Sequence, residues 1–169
     1  MSHRLTELLV NGGFEKGVLA PWTIVAGTAV VTTGKRAFSG SFTAVLGPNS
    51  TIQQVIPRGL KEKRVYRFNG ALADDLTTSS IDQPENPTTT VRLQFIDKRG
   101  VVLHTVTKIF NRLTLPEMGE GNYRWFTILE IAPEDTAGAI VSISTAADGF
   151  IGIEGIVVDE FSLIQENND

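Results

Sequence analysis

Leu8-Leu9-Val10-Asn11-Gly12-Gly13-Phe14-Glu15-Lys16-Gly17, with Pro21-Trp22 close behind, is the stretch on which the reading of this chain turns. Its three leading apolar residues predict a short buried first strand. Asn-Gly-Gly ends that strand, because glycine takes a positive φ without a Cβ penalty. Phe14 and Trp22 flank a Gly-bearing loop, so both rings can fold back onto one core. Glu15 lies between them with apolar neighbours on both sides. A buried carboxylate without a partner is costly, so Glu15 needs either a hard cation or a base such as Lys35 or Arg36.

Downstream the chain is β-rich. Thr23 to Thr33 is dense in Val, Ile and Thr, the composition of strands. Ser41 to Leu46 and Thr51 to Pro57 follow. Val65 to Ala73 alternates, with Tyr66, Phe68 and Leu72 on one face and Arg67 and Asn69 on the other. Thr90 to Asp97 repeats the pattern, with Val91, Leu93 and Phe95 inward and Arg92 and Gln94 outward. Val101 to Phe110, Tyr123 to Ile131, Ala139 to Ala146 and Ile153 to Ile164 complete the set. Such alternation marks strands with one buried face. Two polar stretches, 74–89 and 111–122, carry prolines and no period, and read as loops. Nine to ten strands without a convincing helix predict an all-β antiparallel β-sandwich. One domain spans 8–164, between tails at 1–7 and 165–169.

Composition narrows the function classes. A net charge of −4 and a charged fraction of 20% provide no basic stripe for nucleic acid or an anionic membrane surface. Cysteine is absent, which removes disulfides and thiolate metal sites. Residues 1–7 hold no apolar run of signal-peptide length, and no stretch approaches a membrane helix. On that reading the chain is intracellular at first, released by another route, or cut from a longer protein. Its final location stays open.

The run Asn11-Gly12-Gly13-Phe14-Glu15-x-Gly17, the Trp shortly after it, Ser39-Gly40 before a strand, and Val158-Asp159-Glu160-Phe161-Ser162-Leu163 near the end together resemble carbohydrate-binding modules of families four, nine and twenty-two. These are galactose-binding-like jelly rolls, and the resemblance runs from about Leu8 to Leu163. It implies a jelly-roll sandwich and a structural Ca²⁺ where the first loop meets the last strand. Carried over by position, Glu15 and Asp159 are the side-chain ligands, with Gly13 and Ser41 offering carbonyls; oxygen donors of this kind suit calcium. The alternative is that Glu15 pairs with Lys35 or Arg36 while Asp159 caps a turn.

The resemblance also implies glycan binding by exposed rings and polar side chains on a sheet face. Trp22 and Trp125 occupy positions that are usually core in the family, and Tyr66 is on an inward register. Tyr123 and Phe126 remain as exposed rings. Arg67, Asn69, Arg92 and Gln94 form a polar ladder if their two strands are neighbours. The rival reading is an assembly protein that uses the same sandwich for protein contacts or self-association on a cell, spore or particle surface. Catalysis finds little support. His3 and His104 are too far apart for ligand spacing, and no nucleophile elbow precedes His104. The carboxylates of Asp74-Asp75, Glu117, Glu120 and Glu134-Asp135 fall in loops and turns. Spacing alone leaves a two-carboxylate glycosidase open.

Overall fold

The computed structural model describes residues 5–34, 37–75, 87–111, 113, 123–146 and 155–166. Ten strands run along them: β1 Thr23–Ala26, β2 Ala29–Thr33, β3 Phe42–Leu46, β4 Thr51–Ile56, β5 Val65–Asp75, β6 Thr89–Ile96, β7 Val102–Phe110, β8 Arg124–Ile131, β9 Gly138–Thr145 and β10 Gly155–Gln165. They form two five-stranded sheets, ordered β1-β4-β9-β6-β7 and β2-β3-β10-β5-β8. We call them the β9 sheet and the β10 sheet after their central strands. Every pairing is antiparallel. The sandwich expected from alternation is the observed architecture.

Alternation also places the core. Tyr66, Phe68 and Leu72 of β5 meet Val91, Leu93 and Phe95 of β6 between the sheets, all fully buried. The first loop adds Phe14 and Trp22. Both rings pack on Phe161 of β10, with centroids 6.1 and 5.3 Å away.

Three local expectations need correction. The β-rich run 23–33 is two strands in different sheets. Gly27 breaks it at φ 66°, where a Cβ would lie 2.2 Å from Ser50 Oγ. Residues 8–10 form no ladder, and the segment makes only an isolated bridge, Glu7 to Ile164. A side chain stands in for the missing strand: Gln54 accepts from Val10 N at 2.8 Å and donates to Val10 O at 2.9 Å. In Asn-Gly-Gly the left-handed residue is Asn11, at φ 57°. Gly12 is required for a different reason, since a Cβ there would lie 1.8 Å from the Phe161 carbonyl oxygen.

Candidate functional site

Among the described residues, three groupings of chemistry-bearing side chains bear on the expected sites: a corner of acids, the outer face of the β9 sheet, and the β8 flank of the β10 sheet.

The corner is built by a bulge. The β10–β5 register slips between Asp159 and Ser162, and Glu160 is held there at φ 53°. The slip turns the fully buried Asp159 toward the loop before β3. Asp159 Oδ2 accepts from Phe38 N (2.8 Å) and Ser39 N (3.3 Å), and Oδ1 accepts from Glu160 N (2.8 Å). Ser39 Oγ donates to Glu160 Oε1. Gly13 closes the corner: a Cβ there would come 3.0 Å from Glu160 Oε1 and 3.8 Å from Asp159 Oδ1. Burial, helped by the neighbouring Glu160 charge and opposed by the three amides, pushes the Asp159 carboxyl up to about 7.

Of the four expected metal ligands, Gly13 and Asp159 meet here. Glu15 is spent on amides, accepting from Ser41 N (3.0 and 3.1 Å) and Phe42 N (2.9 Å). Ser41 therefore enters by its N–H, while its carbonyl accepts from Gly34 N. Lys35 and Arg36 lie outside the described residues. Sequence reading passed over Glu160, although it stands beside Asp159 in the quoted motif. The donor set is all oxygen, no base pairs with either acid among the described residues, and both Asp159 oxygens already accept main-chain amides. No group of three or more His, Cys, Asp or Glu side chains able to hold a metal ion occurs among the described residues. An ion would rest on two carboxylates completed by main-chain oxygen.

The polar ladder does not form as a unit. β5 pairs with β10 and β8, and β6 with β9 and β7, so Arg67 and Asn69 are on the opposite outer face from Arg92 and Gln94. Arg67 is tied to Glu166 through its Nε, and Asn69 is buried at 6% exposure. Arg92 and Gln94 instead join a different array. In register across the β9 sheet lie Thr23, Gln53, Ser142, Arg92 and Thr107. The rows on either side hold Thr51, Ser144, Thr90 and Ile109, and Val55, Ile140, Gln94 and Thr105. Hydroxyls bond one another within this face, Thr51 Oγ1 to Ser144 Oγ at 3.0 Å, and Gln94 Nε2 reaches Thr105 Oγ1 at 3.2 Å. Arg92 is exposed and makes no ion pair among the described residues.

On β8 the two adjacent rings have exchanged their expected places. Phe126 is buried at 2% exposure, packed on Phe68 with centroids 5.1 Å apart. Trp125 is 48% exposed. Its ring lies 5.8 Å from Phe38, which in turn meets the half-buried Tyr123 at 5.3 Å. Trp22 is core as expected.

His104 stacks 6.5 Å from Phe95, and Glu134 pairs with Lys63 at 2.8 Å. Asp74 and Asp75, expected in a loop, are instead buried at the end of β5; Glu117, Glu120 and His3 lie outside the described residues, as do most of stretches 74–89 and 111–122. No helix among the described residues is long and apolar enough to cross a membrane.

Comparison of this architecture with solved structures finds jelly-roll modules. A module named TmCBM61, solved in complex with β-1,4-galactotriose, aligns over 95% of this chain and 99% of its own, with a TM-score of 0.64 and 17% identity. The CBM22-1 xylan-binding domain of Xyn10C from Paenibacillus barcinonensis aligns over the full length of both chains, with a TM-score of 0.63 and 11% identity. This chain has the fold of the carbohydrate-binding-module jelly rolls. The enzymatically active domain of tailspike protein 4 from bacteriophage CBA120 also contains it, with a TM-score of 0.69 and 17% identity over 95% of this chain, which spans 21% of that one. Searches of protein-family models and of curated proteins find no match.

Proposed function

We propose that this protein is a non-catalytic carbohydrate-binding module that holds a glycan across the outer face of the β9 sheet. The row Thr23–Gln53–Ser142–Arg92–Thr107 carries the proposal. Around Ser142, which is buried at 6% exposure, it offers the hydroxyl, amide and guanidinium groups of Thr23, Gln53, Arg92 and Thr107 on strands about 4.8 Å apart, donors and acceptors suited to sugar hydroxyls. The aliphatic Ile140 and Val55 beside it supply surface for the apolar edges of sugar rings. The fold's likeness to a module solved with β-1,4-galactotriose and to a xylan-binding domain supports the same reading.

The acid corner belongs to this reading as a structural Ca²⁺ site. Asp159 and Glu160 would supply carboxylates and Gly13 a carbonyl. The ion would relieve the repulsion between two adjacent acids and fix the loop before β3 onto β10. Glu15 braces the start of β3 alongside it.

Affinity electrophoresis in gels containing β-1,4-galactan or xylan tests the proposal. The parent should be retarded, and Arg92→Ala combined with Gln53→Ala should run as in a sugar-free gel while keeping the parent's melting temperature. Unretarded migration of the parent through a panel of polysaccharides would overturn it.

A further inference from the structure

Among the described residues β8 is an edge strand of the β10 sheet. It pairs with β5 on one side, and no described strand pairs with the other. Protected edges carry proline, lysine, bulges or inward charges. β8 reads Arg124-Trp125-Phe126-Thr127-Ile128-Leu129-Glu130-Ile131, a continuous eight-residue strand with none of these in its middle. Its outer face presents Trp125, Leu129 and Ile131, each roughly half exposed or more.

We propose that β8 pairs with β8 of a second copy, antiparallel about a two-fold axis at Thr127. The axis places Arg124 opposite the second copy's Glu130, and Glu130 opposite its Arg124. Trp125 faces Leu129 twice over, and Phe126 and Ile128 face each other where the two cores become continuous. A two-fold interface is self-complementary in this way, and opposite-charge and aromatic–aliphatic cross-strand pairs are the stabilising ones.

The neighbouring registers fail. A two-fold normal to the sheet keeps paired residues on one face, so the axis moves in whole residues along β8. Centring it on Ile128 sets Glu130 against Phe126, and centring it on Phe126 sets Arg124 against Ile128. Only Thr127 pairs both charges. The other long edge, β7, gives a worse match: an axis at Val106 sets Lys108 against His104, two groups of the basic kind. The occupant of the β8 edge is therefore a second copy of this chain. This surface is separate from the β9 face, so either assignment can fail without the other.

Light scattering coupled to sizing, run over a dilution series, provides the test. The parent should show twice the mass of one chain at high concentration. Arg124→Glu alone opposes two acids and Glu130→Arg alone opposes two bases, so each should weaken association by about tenfold or more. Arg124→Glu with Glu130→Arg together restores opposite charges and should recover the dimer. Trp125 should become harder to quench with acrylamide as the dimer forms. A parent that stays monomeric, a trimer, single variants that dimerise like the parent, or a double variant that stays monomeric would each overturn the proposal. So would a Trp125 emission that responds to added glycan and not to protein concentration.

Discussion

The outer face of the β9 sheet and the β8 flank of the β10 sheet are both solvent-facing β-surfaces of one small sandwich, yet their chemistry is opposite. The first is neutral and hydroxyl-rich, with Arg92 as the only charge in its three rows, and its edge strands are β1 and β7. The second is aromatic and aliphatic, flanked by one base and one acid, and ends in β8, beside which no further strand lies among the described residues. A face rich in donors and acceptors exchanges water for a hydroxylated ligand at little cost. An exposed apolar edge gains by being covered. On the two proposals above, one fold would separate two kinds of recognition onto different surfaces, where glycan binding and self-association need not compete.

The largest expected effect tests whether inside and outside on β8 are correctly assigned. Phe126→Ala should cost about 3–5 kcal/mol by opening a cavity beside Phe68 and Phe161. Trp125→Ala should cost the monomer about 1 kcal/mol or less. Equal costs in urea melts would erase the distinction between the two faces of that strand.

The acid corner gives an intermediate effect and acts on one region alone. The Asp159 carboxyl, ordinarily near 3.8, is raised to about 7 in the folded chain. The folded state therefore binds the proton more tightly than the unfolded state. The associated stability is complete below about pH 4 and is lost as pH rises through 7. Metal-free protein should lose on the order of 2 kcal/mol across that window once solvent screening is allowed for. Asp159→Asn should flatten the profile. Calcium at a hundredfold excess over its Kd should return about 2.7 kcal/mol at neutral pH. Because Phe38 hangs from Asp159 and rests on Trp125, calcium should also shift Trp125 emission without altering backbone amide shifts in the β9 rows. A melting temperature unchanged by both chelator and pH would leave the corner a plain amide-binding turn.

The smallest effects separate the two arginines once read as one ladder. Arg67→Ala breaks its pair with Glu166 and should cost about 0.5–1 kcal/mol with glycan retention intact. Arg92→Ala should change stability by less than about 0.5 kcal/mol and reduce retention. Equal loss of retention in both variants would place the sugar site off the β9 face.

What the sequence disclosed follows from which interactions are local. Strand positions were legible because alternation over residues 65–73 and 90–97 is a property of each segment alone. Sheet membership was not, because pairing resides in register, and a run of alternating residues says nothing about its neighbour. Arg67 and Arg92 were grouped for that reason. Trp125 and Phe126 were interchanged because Leu129 and Ile131 make the outer face of β8 as apolar as the inner. Glu160 escaped notice because its role depends on a bulge, which takes one residue out of the two-residue period. Glu15 drew attention by its neighbours in sequence, while its partners, the amides of Ser41 and Phe42, are main-chain N–H groups that every residue but proline carries.

The central place of β10 has a consequence for how the protein is made. β10 fills the gap between β3 and β5, and its bulge receives the first loop, with Phe161 N donating to Gly12 O at 3.0 Å. A nascent chain emerging from the ribosome therefore carries two incomplete half-sheets and an undocked Phe14–Trp22 pair until its final strand appears. Contacts of such long sequence separation are slow to form, and during the wait the facing edges of β3 and β5 can bind other chains. This strand order predicts that the β10 sheet closes by late insertion of β10 between β3 and β5 rather than by growth from the N-terminus.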